Sequence, residues 1–294
     1  SPYTILVSPV HILAKPYCYI IIIEHTFQAS LVFIFFLFCA KLIRNTKPFL
    51  RKGKQQMKLI FVRHGDPDYT LDSLTEKGWR EAEILAERIS SFDVDDFYCS
   101  PLGRARDTAY CTLKKMNRKA KILSWTQEFN YPIDDPVTGR HGVPWDLVPS
   151  SWCNDILMLS KDGWVQSDIM SQNPDIAVHY QDVCKQLDQF LEKYGYVRED
   201  NFYRVPGKKE VFISRTVSPD NQANISNQLQ HGREKVVVIF CHLGAICIML
   251  SHLLNIPFPL LAHGFFLPTT SLTILGTEER WSNEAYFRVQ AMGD

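Results

Sequence analysis

Several features are missing from this chain of 294 residues, and each absence excludes something. There is no charge of one sign in excess: Lys+Arg and Asp+Glu both number 32, so a dedicated nucleic-acid binder, which carries a basic surplus, is disfavoured. The eight cysteines (Cys18, Cys39, Cys99, Cys111, Cys153, Cys184, Cys241 and Cys247) include no CxxC pair. That speaks against a zinc site or a disulfide framework and for reduced thiols in a cytoplasmic protein. No HExxH or comparable metal-ligand spacing occurs, and no internal repeat is visible. No apolar run reaches the roughly 18 to 20 residues that a membrane span needs. What remains is a composition of 46% hydrophobic and 22% charged residues, that of an ordinary globular protein long enough to bury a sizeable core.

Composition changes sharply near Met57. Before it lie two apolar blocks, Tyr19 to Ile23 and Leu31 to Ala40, separated by Glu24, His25 and other polar residues. Lys41 to Lys58 then carries seven Lys/Arg and no acid. Glu24 would be costly inside a bilayer, residue 1 is Ser, and Met57 opens a strong buried strand. Residues 1–56 therefore read as non-native upstream sequence or a disordered apolar-basic extension, with a membrane anchor as the alternative. Residues 57–294 form the foldable domain.

Within it strands and helices alternate. Lys58 to Val62, Phe97 to Cys99, Lys121 to Trp125 and Lys235 to Cys241 read as buried strands, with Leu272 to Leu275 and Ala285 to Val289 closing the sheet. Thr75 to Ser90, Arg104 to Lys115, Ile176 to Tyr194 and Gly244 to Leu254 read as helices. Residues 129–175, rich in Pro, Trp and Asp, read as an irregular insertion. Trp145, Trp152 and Trp164 there suit a roof over a pocket or packing within the insertion equally well. The polar tract 214–234 reads as a mobile loop. The pattern predicts an α/β three-layer sandwich with a mostly parallel central sheet flanked by helices.

In open α/β sheets, ligands bind beyond the carboxyl ends of the strands. Four groups of residues fall there: Arg63-His64-Gly65, Ser100 to Thr108 with Arg104, Glu128, and His242. Arginines present planar donor forks to phosphate oxygens. One neutral imidazole can attack phosphorus, and a second can donate to the equatorial oxygens. A carboxyl beside the leaving oxygen can serve as acid and then as base. Together these suffice for phosphoryl transfer through a phosphohistidine without a metal. Five other histidines (His141, His179, His231, His252 and His263) lack such a pattern and read as surface or packed residues, and Arg106 should point away from Arg104.

The segments Leu59-Ile-Phe-Val-Arg-His-Gly65, Leu74-Thr-Glu-Lys-Gly78, Cys99-Ser-Pro-Leu-Gly-Arg-Ala-Arg-Asp-Thr108 and Val238-Ile-Phe-Cys-His242 resemble the histidine phosphatase (phosphoglycerate mutase-like) superfamily, in the branch of small broad-specificity phosphatases. The resemblance implies that His64 is the nucleophile, that Arg63, Arg104 and His242 hold the phosphate, and that Glu128 is the acid/base, with Asp66, Asp134 and Asp135 nearby as alternatives. It implies a metal-independent phosphatase acting on a small phosphorylated metabolite, with no cofactor, metal or nucleic acid. A phosphomutase or a catalytically silent phosphate-binding module are the other readings. Two departures from the family's pattern stand out. Leu243 follows His242 where the family has glycine, and Asp66-Pro67 follows Gly65. The family's pattern also leaves room for a further segment beyond Asp294.

Overall fold

The computed structural model describes residues 57–206, 234–279 and 283–294. The extension at 1–56, the tract at 214–234 up to its last residue, and His231 lie outside them.

Strands β1 (Met57–Arg63), β2 (Asp96–Cys99), β3 (Lys121–Ile122), β4 (Val197–Glu199), β5 (Phe202–Arg204), β6 (Lys235–Cys241), β7 (Leu272–Glu279) and β8 (Glu284–Ala291) form one 8-stranded sheet in the order β3-β2-β6-β1-β7-β8-β5-β4. The pairs β3–β2, β2–β6 and β6–β1 are parallel. The pairs β1–β7, β7–β8, β8–β5 and β5–β4 are antiparallel. The α/β sandwich expected from the alternation is present, and its sheet is mixed: one half parallel, the other antiparallel. The hairpin of β4 and β5 has no clear sequence signal, because across its six residues Tyr203 alone is fully buried. The expected third strand is shorter than Lys121 to Trp125. After Ile122 the chain tightens into a 3₁₀ turn at Ser124–Thr126, while Leu123 N–H still bonds Cys99 O at 2.9 Å.

The alternating side chains of β1 explain the layers. Leu59 and Phe61 enter one core with Val237 and Ile239, beneath α3 (Asp175–Glu192), α4 (Leu243–Leu254) and α5 (Phe258–Gly264). Ile60 and Val62 enter the other with Leu85 and Ile89 of α1 (Glu76–Ile89) and Ala105 and Ala109 of α2 (Gly103–Met116). A strand covered on both faces must be apolar at every position, and each such side chain contributes about 1.5–3 kcal/mol on burial. Helix α4 lies inside the molecule, buried continuously from Gly244 to Ser251, which is why it is apolar all round.

Helix α1 begins where Thr75 Oγ1 accepts the Gly78 N–H at 3.1 Å, the capping bond its sequence predicts. The insertion is ordered by Asp135. Its buried carboxylate accepts from Val137 N, Thr138 N, Val148 N and Ser151 Oγ at 2.8–2.9 Å. Trp164 is fully enclosed against Tyr180 and Phe258. Among the described residues no helix is long and apolar enough to cross a membrane, and the six described cysteines are unpaired.

Candidate active site

Strand register brings the two histidines together. Arg63 pairs with Cys241 at the last rung of the parallel β1–β6 ladder, and His64 N–H extends it by bonding Cys241 O at 3.0 Å. His64 and His242 are therefore the next residues on adjacent strands, about 4.8 Å apart in the ladder direction. Their ring centroids lie 5.1 Å apart, and both are buried, at 1% and 0% exposure. The next parallel strand adds a third group. Ser100 N–H bonds Phe240 O at 2.9 Å, which sets Ser100 Oγ 2.8 Å from His242 Nε2.

The tautomer of His64 follows from its neighbour. Its Nδ1 lies 2.7 Å from the Gly65 carbonyl, which can only accept, so Nδ1 carries the proton and Nε2 keeps its lone pair. Burial pulls the His64 pKa from its ordinary 6.5 to about 4; the Gly65 carbonyl opposes this, and the charges of Arg104 and Arg63 reinforce it. Burial lowers His242 further still, aided by Arg104, His64 and Arg63. Both rings are neutral near pH 7, and the charge of both arginines reaches them.

Loops brace the clamp residues. Arg63 Nη1 donates to Leu267 O, and Thr270 N–H bonds the carbonyls of Arg63 and His64 at 3.1 and 3.2 Å. Arg104, on the first turn of α2, is buried, and its Nη1 meets Asp72 Oδ1 at 2.7 Å. Thr108 Oγ1 accepts from Gly65 N–H at 2.9 Å and donates to Arg104 O at 2.7 Å, tying the two motifs together. Among the described residues, the Nε–H groups of Arg63 and Arg104 and the Nδ1 of His242 are buried without a hydrogen-bond partner. Such groups are costly unless a ligand satisfies them, and an anion with several oxygens fits that need.

Glu128 completes the set. Its Oε1 accepts Gly244 N–H at 2.9 Å, Ala245 N–H at 3.3 Å and Phe129 N–H at 2.9 Å, which anchors the carboxyl at the amino end of α4 and leaves Oε2 to carry a proton. The residue is half-buried overall, yet its carboxyl is enclosed. Burial pushes its pKa up, while the three backbone donors and the Arg104 charge pull the other way. One ligating atom each from His64, Glu128 and His242 lie within 4.8 Å of one another. That spacing suits a tetrahedral phosphoryl group, and two imidazoles with a carboxylate are also a donor set for a divalent cation.

The alternative carboxylates lie elsewhere. Asp66 accepts from Thr75 Oγ1 at 2.7 Å, Asp135 holds the insertion, and Asp134 pairs with His141 at 2.7 Å on the surface. Arg106 is exposed, as its spacing predicts. Of the three tryptophans, Trp145 is at the site. A Cβ on Gly244 would lie 2.4 Å from Trp145 Cζ3 and 2.8 Å from Glu128 Oε1. The close approach that a glycine allows here is thus made at 244, one residue beyond His242-Leu243. Sequence reasoning placed the segment Ser100 to Thr108 at a strand end without giving Ser100 or Thr108 a role of its own, and it missed Asp72. Ser100 had a usable signal, since it directly follows a strand, whereas Asp72 has none.

Residues 59–135 match the family model of the histidine phosphatase superfamily, branch 1. A 69-residue stretch is 39% identical to the 2,3-bisphosphoglycerate-dependent phosphoglycerate mutase of Thermoplasma acidophilum. It covers 20% of this chain and 34% of the relative, about a third of that protein's length. Among solved structures, the mycobacterial glucosyl-3-phosphoglycerate phosphatase is similar over 80% of this chain and 98% of its own, with 15% identity and a TM-score of 0.47. A phosphoserine phosphatase variant from Entamoeba histolytica is similar over 81% and 97%, with 20% identity and a TM-score of 0.41. The match to this family model supports phosphoryl-transfer chemistry, hydrolytic or mutase, and does not name a substrate.

Proposed function

We propose that the protein is a metal-independent phosphomonoesterase of the cytoplasm that hydrolyses a small phosphorylated metabolite through a phosphohistidine on His64. The observation that carries this reading is the neutral His64 ring beside His242, with Glu128 within 4.8 Å of both. His64 Nε2 attacks phosphorus while the ester oxygen leaves with the Glu128 proton, so one P–O bond breaks as one P–N bond forms. Arg63, Arg104 and His242 hold the three peripheral oxygens, where charge is carried through the transition state. The Glu128 carboxylate then takes a proton from water, whose oxygen displaces His64 and releases inorganic phosphate.

Hydrolysis of 4-nitrophenyl phosphate in excess EDTA tests this. Activity should persist in chelator and fall by at least about 10³-fold in His64→Ala; full activity in that variant would refute the mechanism. Loss of activity in EDTA would instead turn the two histidines and Glu128 into cation ligands. A mutase reading is favoured by the name of the curated relative. Isomer formed from 3-phosphoglycerate without free phosphate would establish it in place of hydrolysis.

A further inference from the structure

An open cleft of about 420 Å³ adjoins the site. Arg63 is shared between its wall and the proposed phosphate clamp, and Trp145, another lining residue, packs at the Gly244 position that Glu128 Oε1 also approaches. The cleft therefore abuts the candidate site through Arg63 and Trp145. Beyond that point Leu243, Ala262, Phe265, Phe266 and Leu267 line it. Phe266 is 83% exposed and Phe265 47%, an aromatic lip that gains by being covered. Leu243 is the residue that departs from the family's pattern, and here it supplies apolar wall.

The polar inventory is short. Arg63 is the cleft's lining cation and is already committed to phosphate. Asp146 is an exposed acid whose partner, Arg140 at 3.4 Å, lies outside the lining. His263 donates from Nδ1 to Pro259 O at 2.9 Å, so its Nε2 is an acceptor. A leaving group with its own carboxylate would meet Asp146 and, among the described lining residues, no cation other than Arg63. One rich in hydroxyls would find few partners for the water it gives up.

We infer that this cleft holds the alcohol portion of the ester, and that the favoured substrates are phosphomonoesters of bulky apolar alcohols, arylalkyl or medium-chain alkyl, over small carboxylated or polyhydroxylated ones. The inference rests on the phosphomonoesterase reading and adds the substrate class to it.

The test compares phosphate release by the full chain from 2-phenylethyl, ethyl and glycerol phosphates and 3-phosphoglycerate. These are all alkyl esters, so intrinsic leaving ability is similar. The expected kcat/KM for 2-phenylethyl phosphate exceeds that for ethyl phosphate and for 3-phosphoglycerate by about tenfold or more, the scale on which an apolar pocket rewards added hydrocarbon. In Phe266→Ser, a change at an exposed ring, the phenylethyl-to-ethyl ratio should fall severalfold. Asp146→Lys should raise kcat/KM for 3-phosphoglycerate. Equal or better use of ethyl phosphate or 3-phosphoglycerate by the unaltered chain overturns the inference and leaves the phosphatase reading standing. Failure to hydrolyse any of these or 4-nitrophenyl phosphate removes that reading, and the inference with it.

Discussion

At the scale of single residues, protonation decides what the site can do. With its pKa lowered to about 4 by burial, His64 keeps a free ring lone pair, as the proposed mechanism needs, through mildly acidic conditions where an ordinary histidine is protonated. The acid limb of kcat/KM, corrected for substrate phosphate ionisation near pH 6, should fall near pH 4 and not near 6.5; a limb at 6.5 would contradict the burial argument. Glu128 works in the opposite sense, since burial raises its pKa and helps it hold a proton to deliver. Replacing it by Gln keeps the three backbone contacts and removes that proton. Turnover of alkyl phosphates should drop about 10²–10⁴-fold, and turnover of 4-nitrophenyl phosphate much less, because that leaving group departs without an acid. Equal losses in both series would assign the acid to another residue.

At the scale of elements, the site is made by strand ends and one helix start. Parallel register sets His64 beside His242 and Ser100 behind it. The amino end of α4 fixes Glu128 through two N–H groups. Gly244 is where strand end, helix start, acid and Trp145 meet. Gly244→Ala would place a methyl 2.4 Å from the indole and 2.8 Å from Oε1, so the carboxyl or Trp145 must shift. Displacement of a reacting group by such an amount costs on the order of 10²-fold. We expect kcat/KM to fall about 10–100-fold while thermal unfolding still shows one folded species; wild-type activity would mean the acid is not held there. The elements themselves were largely readable. Apolar runs of β1 and β6 and the 3.6-residue periodicity of α1 mark themselves in one dimension. β3 and the β4–β5 hairpin do not, because two- and three-residue strands with mostly exposed side chains carry no periodic signal.

At the scale of the whole molecule, burying two imidazoles makes stability depend on pH. Above pH 6.5 both folded and unfolded His64 are neutral. Below it the unfolded chain takes up the proton first, while the folded ring resists until about pH 4, so stability falls as pH falls through that window. The loss attributable to His64 between pH 7 and pH 5 is about 2 kcal/mol, and His242 adds to it in the same direction. Urea midpoints measured at the two pH values should show this decline, and His64→Asn should lessen it. A pH-independent midpoint would mean that the rings are solvated.

The amino-acid sequence determined the order of the longer strands and helices and the two-faced burial of the central strands, and it marked His64, Arg63, Arg104, His242 and Glu128 as candidates. The elements follow from local apolar patterning, His64, Arg63, Arg104 and His242 from residue types placed at strand ends, and Glu128 from the family resemblance, all of them one-dimensional properties. Tertiary structure alone decided the antiparallel half of the sheet and which nearby carboxyl faces the histidines. It also placed Asp72 on Arg104 and Trp145 against Gly244. Each of those depends on contacts between residues tens or more than a hundred positions apart, whose distances are set by sheet register and helix packing and leave no trace in local composition.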